Sequence, residues 1–188
     1  MLIRIALSCL AVLSLVIGCV QVTNGSGPDG LTAPANDALR IATYNAHYIV
    51  TTRKTGAWSL ADWDRRKGPL DLAFKKMSAD VIGFQEMESF SGGSFSLVNL
   101  KLDWLLENNP DFAPAAVGNP EEFPSTQPIL YRKSRLNLLD QGWFFFSETP
   151  DVAYSPTFDG SYPAFASWAV FEDKPTGAVF RVLNIHTD

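Results

Sequence analysis

Cysteine is nearly absent from this 188-residue chain: there are two, Cys9 and Cys19. Cys9 falls inside an N-terminal apolar stretch, so a domain beyond residue 19 has no cysteine left to pair. That excludes a disulfide framework and leaves an exported domain to be held by its core, alone or with a metal. Long hydrophobic runs are lacking too. Ile5 to Ile17 falls short of the ~18 or more apolar residues that a spanning helix needs. Excess positive charge is also missing, with 15 Lys+Arg against 20 Asp+Glu and a formal net charge of −5. This excludes a global basic footprint for nucleic acid, but it leaves room for a small phosphate site, where one divalent cation can dominate the local field. Internal repeats and charge blocks are absent as well.

What is present is a globular composition, 46% hydrophobic and 12% aromatic, at a length that suits one domain. Met1 to Arg4 is a short basic segment and Ile5 to Ile17 an apolar one, which together predict an export signal over residues 1–18. Val16-Ile17-Gly18-Cys19 resembles the lipobox of bacterial lipoproteins, in which cleavage precedes the cysteine and the cysteine carries a lipid. This implies an exported protein of the bacterial cell envelope, joined to the membrane through lipidated Cys19. Cleavage would remove one base, Arg4, and no acid, so the charge would pass from −5 to −6. Residues 20–38, rich in Gly, Asn, Pro, Ser and Thr, read as a linker that could reach at most ~65 Å at ~3.4 Å per residue.

The domain is expected over residues 39–188. Leu39 to Tyr44 alternates as a strand that stops at Asn45, and Tyr48 to Ala57 reads as a loop. Ser59 with Asp62 three residues on predicts a capped helix start, Gly68-Pro69 predicts an interruption, and Leu70, Phe74 and Met77 resume helical spacing. Ala79 to Glu86 is an apolar run opened by Asp80 and closed by Gln85-Glu86, a buried strand that delivers a carboxylate to a sheet rim. A loop over residues 89–96 follows, then a helix from Leu97 to Glu107 with Val98, Leu102, Leu105 and Leu106 inward. Short strands are expected over 112–117, 129–132, 136–139, 143–146, 165–172 and 178–185, with Pro128 at the start of the second and Asp173 to Gly177 as a hairpin loop. Strand, helix, strand, helix and then a run of antiparallel strands is an α+β layered pattern.

Polar residues close several of these strands: Asn45, Glu86, Tyr131-Arg132 and Asn184-Ile185-His186-Thr187-Asp188. If the last strand continues, Asn184, His186 and Asp188 share one face. Hard cations such as Mg²⁺ take oxygen ligands and keep several waters, so a carboxylate, an amide and a bound phosphate form a plausible set. A nearby histidine can donate to a phosphate oxygen.

Tyr44-Asn45, Asp80 to Glu86, Ile129 to Arg132, Phe146 to Asp151 and Asn184 to Asp188, in this order, resemble the endonuclease/exonuclease/phosphatase superfamily of deoxyribonuclease-I-like phosphoesterases. The resemblance implies a four-layer αββα sandwich and hydrolysis of phosphate esters by a metal-activated water, with Mg²⁺ or Mn²⁺ as cofactor. It implies that Glu86 is the principal metal ligand, that Asn45 beside it holds the metal shell or the phosphate, and that Tyr131 lines the phosphate site. His186 would hydrogen-bond the scissile phosphate, and Asp188 would stand behind it. The substrate would be a phosphate ester, with nucleic acid or nucleotides preferred and lipid headgroups as the alternative; no protein partner is implied.

Two departures from the family pattern qualify this. Ala164 stands where relatives often carry an arginine ahead of the Ser-Trp pair, so one phosphate contact is missing or replaced. The Asp-x-Asn and Ser-Asp-His segments of the family's second half do not occur up to Asp188. The sandwich is therefore expected to be incomplete and this chain, alone, nearly inactive, because general acid-base assistance is worth about 10² to 10⁴ in rate. The rival expectation is a surface-anchored binding module that has lost catalysis.

Overall fold

The computed structural model describes residues 38–90, 99–119, 121–124 and 126–187. The export segment, Cys19, the linker, Val98 and Asp188 lie outside them. Val81–Gln85 forms β3, and all five residues are buried, as a run without polar alternation requires. β1 (Ile41–Asn45) pairs with β3 in parallel, Ile41 opposite Val81 and Asn45 opposite Gln85. The chain between them includes β2 (Ile49–Val50) and α1 (Leu60–Met77), so α1 is the crossover that a parallel pair needs. Its first turn is closed as the Ser-x-x-Asp pattern predicts, Ser59 Oγ accepting the Asp62 N–H at 3.1 Å.

Beyond β3 come β4 (Ser89–Phe90), α2 (Leu100–Asn108), β5 (Phe112–Ala115) and β6 (Ile129–Arg132). β6 runs antiparallel to both β3 and β5, which gives a mixed sheet in the order β1-β3-β6-β5. β7 (Leu136–Phe145), β8 (Phe165–Asp173) and β9 (Val179–Ile185) form a separate antiparallel sheet in chain order.

The two-residue period of the strands sorts the core into two layers. Ile82, Phe84 and Leu130 face the helices and pack with Trp63, Leu70, Phe74, Leu102 and Leu105. Val81, Ala115 and Ile129 face the other way and pack with Leu136, Ala169 and Phe171 of the second sheet. Polar groups pin the two sheets at the end where β1 and β3 finish. Asn184 of β9 donates to the carbonyls of Phe84 and Gln127, and its Oδ1 accepts from Gln85 Nε2. A Cβ at position 83 would lie 2.9 Å from that Oδ1, so the close approach requires Gly83.

Several sequence expectations need correction. α1 is one continuous helix of 18 residues with Pro69 inside it, because Trp63 on one side and Leu70 and Phe74 on the other bury into the same core. The expected strands 136–139 and 143–146 are one strand with a bulge between Leu138 and Asp140. Gly142 lies inside that strand, where an added Cβ would come within 2.5 Å of the Trp168 ring. β9 ends at Ile185, so His186 follows the strand instead of continuing its polar row. The expected loops at 48–57 and 89–96 hide a two-residue parallel pairing, Ile49 with Ser89 and Val50 with Phe90. The described residues thus supply a helical layer and two sheets of an α+β fold.

Candidate active site

The parallel register of β1 and β3 brings their C-terminal ends together, and with them Asn45 and Glu86. β3 stops there because Glu86 turns into the left-handed region, with φ 52°, a conformation uncommon for a side chain larger than glycine. A buried lysine holds it. Lys101 of α2 is fully buried, and its Nζ donates to the Glu86 carbonyl. Burial lowers the Lys101 pKa to about 7, against the opposing pull of Glu88 and Glu86. Glu88 is pushed upward by its own burial; Lys101 counteracts this and Glu86 adds to it.

The Glu86 carboxylate is 24% exposed and surrounded by donors. Asn45 Nδ2 donates to Oε1 at 2.9 Å, and the Tyr48 N–H approaches Oε2 at 3.4 Å. The amide orientation of Asn45 is settled at both ends, since its Oδ1 accepts the His47 N–H at 2.9 Å. His186 Nε2 stands 3.8 Å from Oε1, and His47 Nδ1 stands 4.0 Å from Oε2. The carboxylate therefore has an imidazole on each side, both partly exposed, and the carboxylate and His186 border an open space.

That space is a cavity of about 370 Å³, with Glu86 and His186 in its wall together with Tyr48, Glu88, Gln127 and Tyr154. Tyr162, also in its wall, lies with its ring centroid 6.3 Å from that of His186. Tyr48 stacks nearly parallel on Trp58, at 5.8 Å and 12°. Neither lysine nor arginine is among the described residues of the wall. Ala164 adds none: it is 4% exposed and flanks Pro163 and Phe165 of the wall.

Of the residues singled out in the sequence, the structure brings Asn45, Glu86 and His186 together. Tyr131 does not join them. It sits opposite Val81 in the antiparallel β3–β6 register, five residues from Glu86 along β3 or about 16 Å at ~3.3 Å per residue, and packs on Phe171 with ring centroids 5.1 Å apart. Asp188 lies outside the described residues. His47, Tyr48, Glu88 and Lys101 were missed. Lys101 carried a signal, because it stands four residues before Leu105 and so shares the inward face of its helix.

No family model matches the chain, and no curated protein matches it. Solved structures do. Over 80% of its length the chain is similar to an endonuclease/exonuclease/phosphatase from Bacteroides vulgatus, at 27% identity and a TM-score of 0.62, covering 52% of that chain. A mannosyl-6-phosphatase from Bacteroides thetaiotaomicron matches over the same share, at 26% identity and a TM-score of 0.62, again with 52% of that chain covered. The chain thus spans about half the length of these structures. Its described residues share the mixed-sheet fold of endonuclease/exonuclease/phosphatase proteins, and it is similar to phosphoesterases of that kind.

Proposed function

We propose that this chain carries the metal-holding part of a divalent-metal-dependent phosphoester hydrolase built as a four-layer αββα sandwich. The observation that carries the reading is the Glu86 carboxylate, held by Asn45 and flanked by His186 at 3.8 Å in the wall of a cavity. The donor set fits Mg²⁺ or Mn²⁺. Among the described residues no group of three or more His, Cys, Asp or Glu is placed to hold a metal, but Mg²⁺ is commonly held by one or two carboxylates with waters and substrate phosphate completing its shell.

Glu86 would hold the cation. Asn45 orients Glu86 through its Nδ2, while its own oxygen is engaged by His47. When bound, the cation supplies positive charge to the phosphate oxygens and to the attacking water. His186 donates to a phosphate oxygen as charge builds there. A second helical layer on the outer face of β7–β9 is supported by Val179, Leu183 and Ile185, exposed there in alternation with the less exposed Phe180, Val182 and Asn184.

The wall has acids, aromatics and His186 but neither lysine nor arginine among its described residues, which supports a small phosphate ester over a polynucleotide, since strand-tracking grooves are basic. The likeness to a mannosyl-6-phosphatase supports the same choice. The protein is exported and joined to the cell-envelope membrane through lipidated Cys19; a Cys19→Ser variant should leave the membrane fraction, and one that stays there would refute the anchor. The activity is tested by incubating the full-length protein with a panel of phosphate esters in Mg²⁺, with and without EDTA. Hydrolysis should fall to background with EDTA, and hydrolysis indifferent to it would refute the metal mechanism.

A further inference from the structure

The wall of the cavity holds groups that the hydrolytic step does not use. Glu88 and Gln127 border it, with Tyr48, Tyr154, Tyr162 and Phe165 as aromatic walls. Gln127 is 3% exposed, and its Nε2 donates to the Phe165 carbonyl at 3.0 Å. A carbonyl only accepts, so this contact settles the amide orientation. The other end of the amide, Oε1, is buried and has no hydrogen-bond partner among the described residues. A buried acceptor left without a donor is disfavoured, and such groups in folded proteins call for an explanation. The Glu88 carboxyl is a second acceptor group of the wall, half-buried, and Lys101 lies near enough to act on it through charge.

We propose that this cavity receives the ring of a phosphorylated monosaccharide. The inference rests on the phosphoesterase reading, because it places the phosphate at Glu86 and His186. Sugar hydroxyls donate to Glu88 and Gln127, and the C–H face of the ring lies against the tyrosines. Glu88 and Gln127 both offer acceptors, and a sugar ring brings several hydroxyl donors to match them. A polynucleotide would need lysines or arginines along its path, and the described wall residues include neither. The volume of about 370 Å³ lies within the range of roughly 300–1,000 Å³ for small-molecule sites.

The test is calorimetric binding to the full chain in Mg²⁺, with mannose 6-phosphate, a nucleoside 5′-monophosphate and inorganic phosphate as probes. Mannose 6-phosphate should bind at least tenfold more tightly than either other probe. Glu88→Ala and Gln127→Leu should each reduce the ratio of mannose 6-phosphate to inorganic phosphate affinity by about tenfold, the loss of one good hydrogen bond. Glu88→Ala changes a partly exposed side chain, so it keeps the test valid if Gln127→Leu does not fold. If inorganic phosphate binds and Glu86→Gln abolishes it, but the sugar phosphate gains nothing or the nucleotide binds more tightly, the sugar assignment is overturned and the phosphoesterase site stands. If inorganic phosphate does not bind, or binds equally well to Glu86→Gln, the site reading fails and the sugar assignment with it.

Discussion

Glu86 is placed by its backbone as much as by its carboxylate. A left-handed glutamate is uncommon, and here Lys101, fully buried, spends its ammonium on the carbonyl of that residue. Two substitutions separate packing from positioning. Lys101→Ala removes a buried stem and leaves the Glu86 carbonyl without its donor, and should lower unfolding stability by about 2–4 kcal/mol in denaturant titration. Lys101→Met keeps most of the volume, so it should recover part of that stability while phosphoester turnover stays low; full turnover in the Met variant would refute the positioning role. The residue scale is also where sequence reading met its clearest limit. Asn45, Glu86 and His186 were legible because strand ends collect at one rim. Tyr131 was misplaced because the end of an antiparallel strand lies at the opposite rim from the ends of β1 and β3, and the β3–β6 register carries it there.

At the level of elements, α1 persists through Pro69, which is exposed. Proline in a helix interior costs about 3 kcal/mol relative to alanine, but burying residues such as Trp63, Leu70 and Phe74 contributes about 1.5–3 kcal/mol for each large apolar side chain. Burial wins, and the break that Gly68-Pro69 announces does not occur. Pro69→Ala should therefore stabilise the protein by about 1–3 kcal/mol, less than the full helix term because proline also restricts the unfolded chain; an unchanged or lower melting temperature would contradict this. β3 was legible for the same reason that α1 was misread, since burial on both faces leaves an unbroken apolar run.

The hairpin of β8 and β9 is tied to the start of β7 by Asp173, which accepts from Arg135 and from Thr176 Oγ1. The Arg135 hydrogen bond, then that of Thr176, holds the Asp173 carboxyl below its usual range, against the effect of burial. A carboxylate with a lowered folded-state pKa contributes stability that is present above its unfolded pKa and lost as pH falls through the folded value. Asp173→Asn should accordingly destabilise the protein at pH 7, and the difference from wild type should shrink by pH 2. A difference independent of pH would mean that shape, and not charge, sets the contribution of this residue.

On the scale of the whole molecule, the described residues bury one sheet between helices and a second sheet, while β1 and β9 remain edge strands with Ile41, Leu183 and Ile185 exposed. Asn45, Glu86 and His186 gather at the end where β1 and β3 finish, beside the Asn184 contacts that join the two sheets. Fold class and the order of elements were legible because alternation and apolar runs report burial directly. The aromatic wall was not, because Tyr48, Tyr154 and Tyr162 meet only through tertiary folding. The central claim is that the Glu86 carboxylate holds a divalent cation for phosphoester hydrolysis, and it is tested most directly by the Mg²⁺ dependence of turnover in full-length wild type and Glu86→Gln. Wild-type turnover should rise with Mg²⁺ to saturation, and Glu86→Gln should be slower by at least about 10², in line with loss of several kcal/mol of transition-state stabilisation. Equal Mg²⁺ curves for the two proteins would contradict the account.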